Sequence, residues 1–143
     1  TPETADQFDF TQYDYIVDAI DSVTSKIELI LKAQMVGTPI ISSMGTGNKL
    51  NPQSLKISDI FKTSVCPLAR VMRYELKKRG VKKLKVVYSK EQPVKPPVEK
   101  VQSLLSEEDL AKRTIPGSNA FVPSVAGLVI AGEVIKDLVC QDS

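Results

Sequence analysis

Two carboxylates, Asp18 and Asp21, stand where an apolar run beginning at Tyr15-Ile16-Val17 gives out in Asp18-Ala19-Ile20-Asp21. A carboxylate at the carboxyl end of a buried strand, beside the start of the next helix, is placed to hold Mg²⁺ against a nucleotide phosphate. Open α/β sheets bind ligands in that crevice, and Mg²⁺ takes one or two carboxylates together with phosphate oxygens. Asp21 is the metal candidate, and Asp18, Asp21 and Ser22 together are the nucleotide-binding candidates. The same residues also suit helix capping, because Asp and Ser satisfy the free N–H groups of a helix start. Asp18, inside the run, is placed to orient its neighbours. Lys26 lies about one helical turn past Asp21, where a cation neutralises phosphate charge in a transition state; taken alone it is more often a solvated lysine. Gly45 and Thr46, in Gly45-Thr46-Gly47, form a loop that can bring backbone close to a ligand, or a plain turn.

Cys66 precedes Pro67 at a helix start, with Arg70 and Arg73 nearby. A helix N-terminus and neighbouring cations lower a thiol pKa, which makes Cys66 a candidate reactive group; a half-buried capping thiol is the other reading. Basic residues gather from Arg70 to Lys85. Arg70, Arg73, Lys77 and Arg79 are candidate contacts to RNA phosphates, or else a solvated helix face.

The rest of the composition narrows the chemistry. The chain has 143 residues and no histidine, which excludes catalytic triads, Cys-His pairs and His-ligated metals. Cys66 and Cys140 form no C-x-x-C, so neither a zinc site nor a disulfide framework is expected, and reduced thiols fit a cytoplasmic setting. The net charge of +2 is too mild to announce a nucleic-acid binder by itself. The most apolar run, Val125 to Ile135, is about half the ~20 residues of a membrane span, and it contains Glu133. No membrane association is expected.

These groups need elements to position them. The apolar run from Tyr15 reads as a buried strand. Ser25 and Glu28 have capping-box spacing, and Ile27, Ile30, Leu31 and Met35 share a helical face until Gly37. Thr38-Pro39-Ile40-Ile41 opens another strand, so strand, helix and strand form a parallel βαβ unit. Leu55-Lys56-Ile57 alternates as a short strand. Pro67 suits the first position of a helix capped by Cys66, with Leu68, Val71, Met72 and Leu76 as its apolar stripe and Gly80 as its stop. Lys83 to Tyr88 supplies a further strand. Residues 92–117 are Pro- and charge-rich and read as a mobile excursion. A last helix opens at Pro123-Ser124 and runs to about Val139, with Ala126, Gly127, Ala131 and Gly132 available for close helix packing. One α/β domain, a mixed sheet with flanking helices, is the expected class.

No G-x-G-x-x-G or Walker loop precedes the first strand. A nucleotide site with its aspartate but without a phosphate loop is expected to be completed by another segment.

YDYIVDAIDSVTSKIELI, PIISSMGTGNKLNP, KTSVCPLARVMRYELKKRGV, VVYSKEQP and GSNAFVPSVAGLVIAGEVIKDL, in this order, resemble the adenylating enzymes of the ThiF/MoeB/HesA superfamily, relatives of ubiquitin-activating enzymes. Within it they look most like the tRNA threonylcarbamoyladenosine dehydratase branch. The resemblance implies the C-terminal part of a Rossmann-like ThiF-type adenylation domain over residues 1–143, whose glycine-rich N-terminal half is absent. It implies ATP and Mg²⁺, a tRNA substrate and a homodimer; a sulfur-trafficking partner is a further option. It places Asp21 on the family's magnesium-associated aspartate and Lys26 on the basic residue that follows it. Cys66 stands where many relatives carry an acidic residue before Pro-Leu-Ala. The zinc-binding C-x-x-C pair of the molybdopterin and thiamine branches is missing, so no zinc is expected. Two alternatives stay open: adenylation of a ubiquitin-like sulfur carrier, and a non-catalytic module that dimerises through the last helix.

Overall fold

Apolar runs too short to be helices, separated by helical stretches, build a sheet covered on both sides. In chain order the elements are β1 (Ile16–Asp18), α1 (Val23–Val36), β2 (Ile40–Ser43), β3 (Leu55–Asp59), α2 (Pro67–Lys78), β4 (Lys85–Ser89) and α3 (Val122–Gln141). The computed structural model describes residues 7–94 and 119–141, so most of the expected 92–117 excursion lies outside the described residues. The sheet order is β1-β2-β4-β3. β1, β2 and β4 run parallel, and β3 lies antiparallel on the outer edge of β4. This is the mixed α/β sheet expected.

Alternation along the strands splits the core in two. Ile40, Val86 and Tyr88 face α1 and α2, packing with Ile27, Ile30, Met72 and Leu76. Ile41 and Val87, one residue out of phase, face α3 and meet Ala126 and Ile130. Parallel strands buried on both faces carry apolar residues on both, which is why they read as continuous runs. Full burial of each large aliphatic side chain contributes about 1.5–3 kcal/mol.

Helix ends follow local chemistry, with some differences from the expected bounds. α1 starts at Val23, three residues earlier than a cap at Ser25 would place it: Ser22 is the cap, its Oγ accepting from the Ser25 N–H at 3.4 Å, and Ser25 Oγ lies 3.2 Å from it. Its inner face is Lys26, Ile27, Ile30 and Ala33, whereas Met35 is exposed. Gly37 ends the helix at φ 80°, where a side chain would be strained. α2 begins at Pro67 after Cys66, as expected, and buries Ala69, Met72 and Leu76; Val71 faces out. The predicted stripe was therefore rotated by about one position.

α3 is fastened at both ends. Asn119 Oδ1 accepts from the Phe121 and Val122 N–H groups at 3.0 and 2.9 Å. Farther along, Lys85 Nζ reaches Glu133 at 2.8 Å and Asp137 at 2.6 Å, and the Tyr15 hydroxyl donates to Asp137 at 2.7 Å. No described atom comes within 4 Å of a Cβ built at Gly127 or Gly132, so the expected close packing is not made among the described residues. No helix among them is long and apolar enough to cross a membrane.

Candidate functional site at the carboxyl ends of the parallel strands

Register sets Asp18, the last residue of β1, beside Ser42 of β2. The first turn of α1 then brings Lys26 over both. Lys26 Nζ lies 2.9 Å from Asp18 Oδ2 and 3.3 Å from Ser42 Oγ, and Ser42 Oγ donates to the same carboxylate oxygen at 2.5 Å. The other oxygen accepts the Ile20 N–H at 3.0 Å. Asp18, Lys26 and Ser42 are all 0% exposed. Two ions leave water at high cost, and burial is tolerated only with close pairing and further hydrogen bonds, both of which are present.

The solvated reading of Lys26 is thus excluded. Its ammonium is engaged by Asp18 and Ser42, which ties it to the turn that Asp18 holds. Asp18 orients its neighbours: one oxygen accepts from Lys26 and Ser42 and the other from the Ile20 N–H, so its hydrogen bonds are spent within the cluster.

Asp21 is different. It is exposed, three residues beyond β1, and has no hydrogen-bond partner among the described residues. Ser22, rather than Asp21, caps α1, so capping does not account for Asp21. No cluster of three acidic or thiol ligands occurs among the described residues. One unpaired carboxylate fits a Mg²⁺ ion shared with phosphate oxygens and does not fit a self-contained metal cage.

Gly45 and Thr46 leave the same sheet edge after β2, half-buried. A Cβ at Gly45 would meet Leu68 at 3.7 Å, an ordinary contact, so glycine is not demanded there by space. The left-handed residue of this loop is Asn48, at φ 57°. Three ties that sequence reasoning missed hold it. Lys49, 2% exposed, donates to the Glu91 carbonyl, and its burial lowers its pKa. The Glu91 carboxylate accepts the Asn51 and Leu50 N–H groups at 2.9 and 3.0 Å, which lowers its own pKa. Asn119 Nδ2 donates to the Lys49 carbonyl at 3.2 Å. The capping preference of Asn is the signal that could have found Asn119; nothing local links Lys49 to Glu91.

On α2, Cys66 is 2% exposed and makes no side-chain capping bond. Arg73 donates to the Thr63 carbonyl and Oγ1 at 3.0 and 2.6 Å, and Arg79 is paired with Glu75. Arg70 and Lys77 are exposed, without an ion pair among the described residues. The structure therefore gathers Asp18, Asp21, Ser22, Lys26, Gly45 and Thr46 at one sheet edge, and it divides the four basic candidates into two anchored and two outward.

No protein-family model matches the chain. The tRNA threonylcarbamoyladenosine dehydratase of Bacillus subtilis is 40% identical over 141 residues, 96% of this chain and 56% of that protein. The tRNA threonylcarbamoyladenosine dehydratase 2 of Saccharomyces cerevisiae is 36% identical over 138 residues, 87% of this chain and 31% of that protein. The crystal structure of E. coli tRNA N6-threonylcarbamoyladenosine dehydratase, TcdA, in complex with AMP superposes with a TM-score of 0.80 at 27% identity, covering 99% of this chain and 55% of that one. The chain thus spans little more than half the length of its bacterial relatives.

Proposed function

The chain is homologous to the tRNA threonylcarbamoyladenosine dehydratases and matches their C-terminal part, and from that premise we propose that it serves an enzyme of this activity. The enzyme uses ATP to adenylate the threonyl carboxylate of threonylcarbamoyladenosine on tRNA and then cyclises it. The carboxylate oxygen bonds to the α-phosphorus and pyrophosphate leaves. The carbamoyl nitrogen or oxygen then bonds to the activated carbonyl carbon, and AMP leaves with the electron pair. AMP is a far better leaving group than hydroxide, which is what the adenylation achieves.

The observation that carries this reading is Asp21: an unpaired, exposed carboxylate at the carboxyl edge of β1, set on a turn anchored by the buried Asp18–Lys26–Ser42 cluster. Asp21 would hold Mg²⁺ there, and the ion disperses phosphate charge when bound. Asp18, Lys26 and Ser42 are positioning residues that fix the turn, and Gly45 and Thr46 lie on the facing loop. The glycine-rich phosphate loop belongs to the N-terminal half of such enzymes, so residues 1–143 alone are expected to give no ATP–pyrophosphate exchange above background.

The test is conversion of threonylcarbamoyladenosine-containing tRNA by the full natural protein and its Asp21→Asn variant. Turnover should fall by roughly a hundredfold or more. An unchanged rate removes Asp21 from the site, and adenylation of a carrier protein without tRNA conversion replaces the dehydratase reading altogether.

A further inference from the structure

Val65 sits at φ 64°, in the left-handed region that β-branched side chains avoid. The strain belongs to a three-residue turn, in which the Cys66 N–H donates to the Ser64 carbonyl at 2.7 Å. That turn leaves Val65 exposed immediately before α2, where it forms one wall of a cavity of about 740 Å³. Pro67, Arg70, Val71, Arg73 and Tyr74 line the rest, with buried Cys66.

The chemistry of this groove is one-sided. Tyr74 is 69% exposed, an aromatic ring left in water where no core requires it. Arg70 precedes it by one helical turn, and Lys77 and Lys78 follow it by nearly one, so cations flank the ring along a single helix face. No carboxylate lines the cavity. The acid nearest in sequence, Glu75, is paired with Arg79. Arg73 is fixed by Thr63, which stiffens the wall. An exposed ring between cations, beside an apolar hollow, matches a polyanion that also carries π faces. A peptide anchor, by contrast, seeks a desolvated socket for its own side chain.

We propose that this groove seats an unpaired nucleotide of an RNA substrate, its base stacked on Tyr74 and its neighbouring phosphates at Arg70 and Lys77. The proposal rests on the dehydratase reading for the identity of the RNA. Stacking on aromatic side chains and phosphate contacts are the general means by which single-stranded segments are held.

The experiment is tRNA binding to the full natural protein across a range of salt concentrations, with ATP binding and thermal unfolding of each variant measured alongside. Tyr74→Ala should weaken tRNA binding by roughly five- to 150-fold, while Tyr74→Phe keeps it. Arg70→Ala and Lys77→Ala should each flatten the slope of log affinity against log salt by about 0.7. ATP binding and unfolding temperature should stay as in the wild type, since these side chains are exposed. Variants that bind tRNA as the wild type does, or a Tyr74→Phe variant as weak as Tyr74→Ala, overturn the groove while leaving the dehydratase reading intact. A wild type that binds ATP but no tRNA sinks both. An acidic peptide that competes as well as single-stranded RNA of equal charge would reassign the groove to a protein partner.

Discussion

Asp18 and Lys26 are fully buried against each other, so the energetic meaning of their contact depends on which side is removed. Lys26→Met leaves a carboxylate with only Ser42 and one backbone N–H, away from water. Breaking such a pair typically costs 3–5 kcal/mol, on the order of half a domain's stability. Urea unfolding should show that loss for Lys26→Met, against less than about 0.5 kcal/mol for Asp21→Asn, which removes an exposed charge with no partner among the described residues. Equal effects of the two substitutions would contradict the division between a structural cluster and a ligand-facing carboxylate. Asp21 stands out in the sequence because it closes an apolar run, but sequence alone leaves helix capping open for it, and only the structure gives the cap to Ser22. The burial of Lys26 was not legible, because Ser42 arrives from a neighbouring strand 16 residues away. Lys49 and Glu91, 42 residues apart, left no trace of their contact in the sequence for the same reason.

Among the elements, α3 is joined to the sheet by a small apolar seam and by the Tyr15–Asp137–Lys85–Glu133 network, so its docking should respond to pH in a defined way. Burial first, then the hydrogen bond to Asp137 and the charges of Asp137 and Glu133, push the Tyr15 hydroxyl well above the ordinary tyrosine pKa. A raised pKa means the fold binds that proton more tightly than the unfolded chain does. The stabilisation is therefore complete below the unfolded value near ~10 and is lost as pH rises beyond it. Asp137 has the opposite sign: its hydrogen bond from Lys85, then that from Tyr15, lowers its pKa, so its contribution is present above about 3.9 and fades in acid. Urea midpoints should hold between these limits and fall on the alkaline side, and Tyr15→Phe should flatten the alkaline fall. An identical alkaline limb in the variant would exclude Tyr15 as its source. The elements themselves were largely readable. Gly37, Pro67 and Gly80 mark helix ends by backbone chemistry that local sequence carries, whereas the inward faces of α1 and α2 depend on where the sheet lies, and both expected faces were offset. The antiparallel placement of β3 beside β4 is a tertiary choice that alternation alone does not dictate.

For the whole molecule, the outward side of α3 is the least settled surface in physical terms. Leu128, Ala131, Gly132 and Ile135 fall at i, i+3, i+4 and i+7 along one helical face, and Leu128 and Ile135 are 73% and 63% exposed. A contiguous apolar stripe in water marks a surface that another surface covers. A second copy of the protein would cover it if the homodimer that the family resemblance implies forms through this face. A two-fold interface presents the same patch from both partners, so each substitution is felt twice, and Gly132 leaves room for two backbones to approach. Ile135→Glu would put two carboxylates into the seam with no cation to meet them. Sedimentation of the full natural protein should then show a dimer, and that of Ile135→Glu a folded monomer with unchanged circular dichroism. A variant that stays dimeric would exclude this face as the interface.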